Sequence, residues 1–169
     1  MGVINTEQPR VAALVVAQDA DYCLASWHQT VISIFRGPAS TEHIARISKQ
    51  CRALLDSAKG SGVTYLSVIE RASPAPSEPV RREMAQWSRD VVARLSAAVI
   101  VAEGGGFKNA LVRGVGVALT VLAPHKVPFK FASTVAEASE LLVRFIPDNS
   151  GGPAELARAV TEVRERWST

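Results

Sequence analysis

A mixed α/β fold, one sheet with helices packed on it, is predicted by three observations on this chain of 169 residues. First, three strand-like runs, residues 11–18 (VAALVVAQ), 22–27 (YCLASW) and 30–36 (TVISIFR), are separated only by the polar turns 19–21 and 28–29. Second, helix-like and strand-like segments alternate from there on at short spacing. Third, a glycine turn, Gly104-Gly105-Gly106, stands between the strand-like residues 97–103 and the apolar helical run 107–122. Short turns join antiparallel strands, whereas strand–helix–strand alternation builds parallel pairs.

Each element follows from its residues. The continuous run 11–18 reads as a strand covered on both sides. With the next two runs it makes an antiparallel meander, in which Val31, Ser33 and Phe35 face one way and Ile32 and Ile34 the other. Gly37-Pro38 stops the meander, and Ser40 or Thr41 can cap what comes next. Ile44, Ile47, Cys51, Leu54, Leu55 and Ala58 then recur at helical spacing, and Lys59-Gly60 ends that helix. Residues 63–70 (VTYLSVIE) form a strand by composition. The three prolines of 71–79 (RASPAPSEP) forbid both a continuous helix and a central strand. Ser77 is placed to cap a helix carrying Val80, Met84, Trp87, Val91 and Leu95 on one face, with Pro79 tolerated in its first turn.

The third predicted helix, 107–122, carries a small-residue stripe, Ala110, Gly114 and Ala118; its glycine costs about 1 kcal/mol against alanine and implies a close approach. A short edge strand at 129–132 follows, then a capping box, Thr134 to Glu137, opening a helix through Phe145. Residues 147–153 (PDNSGGP) read as a hinge. Beyond it Leu156, Val160, Val163 and Trp167 mark one face of a last helix, and Arg158, Glu162 and Arg166 a charge ladder on another. The chain thus divides into a domain of residues 1–146, the hinge 147–153, and a C-terminal helix 154–169.

Composition narrows the function classes. An apolar share of 47% supports a real core. The net charge is +3, but Arg81, Arg82, Arg89 and Arg94 are interleaved with Glu78, Glu83 and Asp90. Nucleic-acid binding wants cations clustered on one face, so it is not expected. Cys23 and Cys51 lie in unlike contexts with no metal-ligand spacing, as buried reduced thiols of a cytoplasmic protein would. No signal peptide is read at the N-terminus, and the longest apolar stretch, 110–124, contains Arg113 and is too short to span a bilayer; membrane insertion is not expected.

The element order is joined by two local patterns. Phe35-Arg36-Gly37 ends the meander just before a capped helix, and Phe131, Ser133 and Glu137-Ala138 open the final helix of the domain. With these, residues 11–145 resemble the STAS superfamily, the sulfate-transporter and anti-sigma-factor-antagonist fold, in its stand-alone SpoIIAA-like form. That resemblance implies a mixed sheet with an N-terminal antiparallel meander and four helices mainly on one face; the C-terminal helix is extra. It also implies a regulatory, non-catalytic domain working through protein–protein contact, with no cofactor. Some members of the superfamily are switched by phosphorylation, and others bind nucleotides or lipids. The phosphate-accepting Asp-Ser-[Ser/Thr]-Gly turn of the antagonists is absent from the matching stretch 70–78; Ser73 or Ser77 stands there by position alone.

The residues themselves offer several candidate sites. Gly104, Gly105, Gly106 and Lys108 read either as a tight strand-to-helix turn or as a cradle for an anion, since helix-start amides bind negative charge. Ser73 and Ser77 read as phospho-acceptors with Arg81 and Arg82 nearby, or as stiff-turn and capping residues. Glu70 and Glu103 both end strands and could meet at one sheet edge. His28, His43 and His125 are expected on the surface, without convergent metal ligands. Trp167, beyond the hinge, either folds back on its own domain or joins Arg81 and Arg82 in an interface with a protein partner or a second copy. The alternative to a protein-contact role is a carrier or sensor for an anionic or lipid-like ligand, held near Gly104 to Lys108 or in an apolar pocket between the third predicted helix, 107–122, and the sheet.

Overall fold

The computed structural model describes residues 11–60, 62–105, 127–147 and 151–168. Its six strands are β1 (Leu14–Gln18), β2 (Tyr22–Trp27), β3 (Thr30–Phe35), β4 (Thr64–Ile69), β5 (Ala97–Ala102) and β6 (Phe129–Ala132). They lie side by side in chain order. The pairs β1–β2 and β2–β3 are antiparallel, as two-residue and three-residue turns require; every later pair is parallel. Four helices are described: α1 (Thr41–Ser57), α2 (Glu78–Asp90), α3 (Val135–Leu142) and α4 (Pro153–Trp167). The predicted helix 107–122, with its stripe Ala110, Gly114 and Ala118, lies outside the described residues.

The class and the meander are as the sequence predicts. Helices α1 and α2 cover one face of the sheet, packing on Tyr22, Leu24, Val31, Phe35 and Tyr65. Helices α3 and α4 cover the other, packing on Cys23, Ile32, Ile34, Leu66, Val68, Val99 and Val101. Of the four helices predicted for the domain three are described, α1 and α2 on one face and α3 on the other, where the extra C-terminal helix α4 joins it. The physical reason is in the strands: β3 and β5 are buried at every residue, and a strand with apolar side chains on both faces needs cover on both.

A correction concerns β1. It is an edge strand, not one covered on both sides, with Leu14 68% and Val16 43% exposed. A β-branched run does not by itself separate an edge from a centre. Here the pairing with β2 slips between Val15 and Ala17, so Val15 packs toward the α3–α4 face and Ala17 toward the α1–α2 face.

Local chemistry sets the helix starts. Ser40 caps α1: its Oγ accepts from the His43 N–H at 3.1 Å, while the Ser40 N–H donates to His43 Nδ1 at 3.2 Å. Thr134 caps α3, accepting from the Glu137 N–H at 3.1 Å. Ser77 occupies the N-cap of α2, but its side chain makes no capping bond, against the sequence expectation; Pro79 in the first turn has no N–H to cap.

Candidate functional site

Strands β3, β4 and β5 run parallel in adjacent positions, so their carboxyl ends converge on one edge. Glu70 and Glu103 follow β4 and β5 there, and the structure brings them together through a cation that sequence reasoning missed. Arg164 of α4 donates from Nη2 to Glu103 Oε1 at 2.7 Å, and its Nε lies 3.4 Å from Glu70 Oε1. From the other side Arg36 Nε donates to Glu70 Oε2 at 3.0 Å. Two carboxylates alternating with two guanidiniums form a mutually neutralised cluster. Such a pair is poorly placed for acid–base work, because guanidinium hydrogen bonds already occupy each carboxylate.

Trp167 closes the same corner. Its indole N–H donates to the Asp19 carbonyl at 2.7 Å, and the Arg36 guanidinium lies 3.9 Å over its ring. The end of α4 is thereby fastened to the β1–β2 turn. Asp19 also accepts from His43 Nε2 at 2.9 Å, so one turn holds helices on both faces of the sheet. Burial works against ionisation of Asp19, but the Asp21 N–H and the His43 ring outweigh it and its pKa is lowered. His43 is only 7% exposed, so it is not the surface histidine the sequence suggested; stacking on Tyr22 and the capping bond recruit it to the core. His28 keeps its turn position with a positive φ of 49°, and burial lowers its pKa. His125 lies outside the described residues.

The remaining sequence candidates scatter. Ser73 is buried and donates to the Gly37 carbonyl at 2.9 Å. Ser77 is exposed. Arg81 and Arg82 both bond Glu78, at 2.6 and 3.1 Å, and these bonds hold its carboxyl below the usual range. Gly104 has φ +111°, which a side chain would strain. Gly105 stands in open space. Gly106 and Lys108 lie outside the described residues. Both thiols are free and buried, and burial pushes Cys23 up to about 11 and Cys51 to about 12, which leaves neither a nucleophile. Among the described residues no three His, Cys, Asp or Glu side chains could hold a metal, and no helix is long and apolar enough to cross a membrane.

A pocket of about 70 Å³ opens on the α1–α2 face. Its floor is the sheet (Phe35, Tyr65, Ser67, Ile100 and Phe129), and its walls are Met84, Trp87 and Ser88 of α2 and the proline-rich loop 73–76. Among the described residues, no charged one lines it. The loop's two prolines, Pro74 and Pro76, unable to continue a helix or strand, stand as a stiff rim. Beneath the floor runs a chain of hydroxyls. Ser33 pairs directly with Ser67 across β3 and β4 and donates to its Oγ at 3.2 Å; Ser33 Oγ is also 2.7 Å from Tyr65 OH. The apolar pocket expected from the sequence concerned the helix 107–122, which lies outside the described residues; this one, against α2, was not anticipated. The signal available was two serines, Ser33 and Ser67, set in otherwise apolar strands.

The chain matches no family model and no curated protein. Among solved structures it is similar to an uncharacterized protein of the DUF3478 family with a SpoIIAA-like fold from Shewanella loihica PV-4. The two share 17% identity over 78% of this chain and 92% of that one, with a TM-score of 0.44.

Proposed function

We propose that this chain is a non-catalytic binding module that takes an apolar, lipid-like guest into the pocket between α2, the loop 73–76 and the sheet. The observation that carries this reading is the pocket itself: an apolar floor and walls, a stiff rim and a few inward hydroxyls, the usual make-up of a small-molecule site. Its volume, about 70 Å³, is roughly half that of a cavity of about 150 Å³ that accepts benzene. It suits the end of an apolar chain, with the rest of the molecule outside. The bound carboxylates at the strand ends and the protonated thiols support binding over chemistry.

Titration of the full chain with 1-octanol, followed by calorimetry, tests this reading. Saturable binding is expected, and Ala75→Trp, placed on the exposed rim, should weaken it at least tenfold with the melting temperature unchanged. Absence of binding, or equal binding by that variant, refutes the pocket reading.

A second reading, a regulatory role through contact with a protein partner, is favoured by one observation. Val11, Leu14 and Val16, three of the four exposed large apolar residues among those described, gather on or beside edge strand β1. Leu14→Lys with Val16→Lys should then abolish co-elution with that partner while leaving octanol binding intact; unchanged co-elution refutes it.

A further inference from the structure

The start of α1 stands beside the pocket and turns on one histidine. Ser40 is the N-cap, and His43 occupies the position where a capping box carries Glu or Gln. The Ser40 N–H can only donate, so His43 Nδ1 accepts from it at 3.2 Å and carries no proton there. At its other nitrogen, Nε2, the ring donates to the Asp19 carboxylate at 2.9 Å. A neutral ring thus satisfies both partners. A second proton, on Nδ1, sets donor against donor and breaks the capping bond. The Asp19 bond survives, since a carboxylate accepts from either form of the ring. Asp19 therefore lets the ring charge in place, and only the cap is lost. Ala39 and Ile44, the residues flanking this box, both line the pocket, as does Phe35, whose ring centre lies 6.1 Å from that of His43. Those two flanking positions are the ones a hydrophobic staple uses to fix how the chain enters a helix. The rim hangs on the same segment, because the Ser73 hydroxyl donates to the Gly37 carbonyl at 2.9 Å. Besides Asp19, the ionisable groups on the elements packed against the ring are Asp21 of the same turn, Tyr22 of β2, stacked at 4.4 Å and kept neutral by burial, and Arg36 at the end of β3, which lies over Trp167. On α1 itself Glu42 and Arg46 pair with each other.

We propose that protonation of His43 uncaps α1 and loosens the Ala39–Ile44 side of the pocket, so that the guest is held while the ring is neutral and released when it charges. This rests on the pocket reading above and adds its regulation. The proton comes from solvent and goes to Nδ1; one hydrogen bond is lost and nothing covalent forms with the guest. By reciprocity, a bound guest opposes the same protonation.

Calorimetric titration of the full chain with 1-octanol at pH 8 and at pH 5, the span over which imidazoles change charge, tests it. Affinity should be about fivefold weaker at pH 5, the order of one lost capping bond. In His43→Gln the side-chain amide oxygen can accept the Ser40 N–H at either pH. Its affinity should match the native value at pH 8 and stay there at pH 5. Equal native affinities at the two pH values, or a loss that persists in His43→Gln, overturn the switch and leave the pocket standing. Binding at neither pH removes the pocket reading together with this one. Should His43→Gln fail to fold, the Ser40 backbone amide decides in the native chain. In an NMR titration it should move in step with the His43 ring, and an amide that stays fixed across that span overturns the proposal.

Discussion

Gly37 closes the meander against the β1–β2 turn, and the closeness of that contact explains the residue. A Cβ there would sit 1.9 Å from Asp21 Oδ1 and 2.8 Å from Asp21 Cβ, while the Gly37 N–H donates to the Asp21 carbonyl at 3.1 Å. Its φ lies outside the left-handed region, so the demand is for space. Gly37→Ala should cost about 1–3 kcal/mol in urea unfolding, as over-packing does; an unchanged midpoint would contradict the contact. The thiols give a second residue-scale expectation. Their pKa values rise from 9.0 to about 11 for Cys23 and about 12 for Cys51 on folding. The stability they contribute is therefore full below pH 9 and falls as pH climbs toward 11, because the unfolded thiols ionise first. Urea midpoints should decline over that window, and neither cysteine should react with a disulfide reagent at pH 8 before unfolding. Rapid labelling of the native chain would contradict their burial.

Among the elements, α4 is the one whose role the structure redefines. It buries Leu156, Ala159, Val160 and Val163 in the core on the α3–α4 face, and ends in the Arg164 and Trp167 contacts. Leu156→Ala should cost about 2–5 kcal/mol, the range for a fully buried leucine. Arg164→Ala should cost about 1–3 kcal/mol, leaving Glu70 and Glu103 without their shared partner. Equilibrium unfolding of both variants checks this, and near-native stability of Leu156→Ala would show the helix to be undocked. The helix face was legible beforehand, since Leu156, Val160 and Val163 recur at helical spacing. Which sheet face it would meet was not, because periodicity tells which side of a helix is apolar and not what it touches. The same limit hid Arg36 and Arg164. Glu70 and Glu103 could be read as strand ends from local pattern, but the cations joining them arrive from distant elements through docking geometry. The β1 edge was misread because a β-branched run looks the same at an edge as at a centre.

At the scale of the whole molecule, the sheet separates two jobs. The face carrying α3 and α4 is a closed apolar core locked at its corner by ion pairs and a cation–π contact. The face carrying α1 and α2 keeps a largely apolar pocket in which Ser67 is a polar exception legible in the sequence, yet whose walls depend on where the proline rim and α2 fall. The chain has two methionines, Met1 and Met84, and Met84 lines the pocket. Methyl-labelled methionine therefore reports on the site without any substitution. On titration with 1-octanol in an NMR experiment, the account predicts a saturable shift of the Met84 methyl resonance. A Met84 resonance that stays fixed throughout the titration would contradict it.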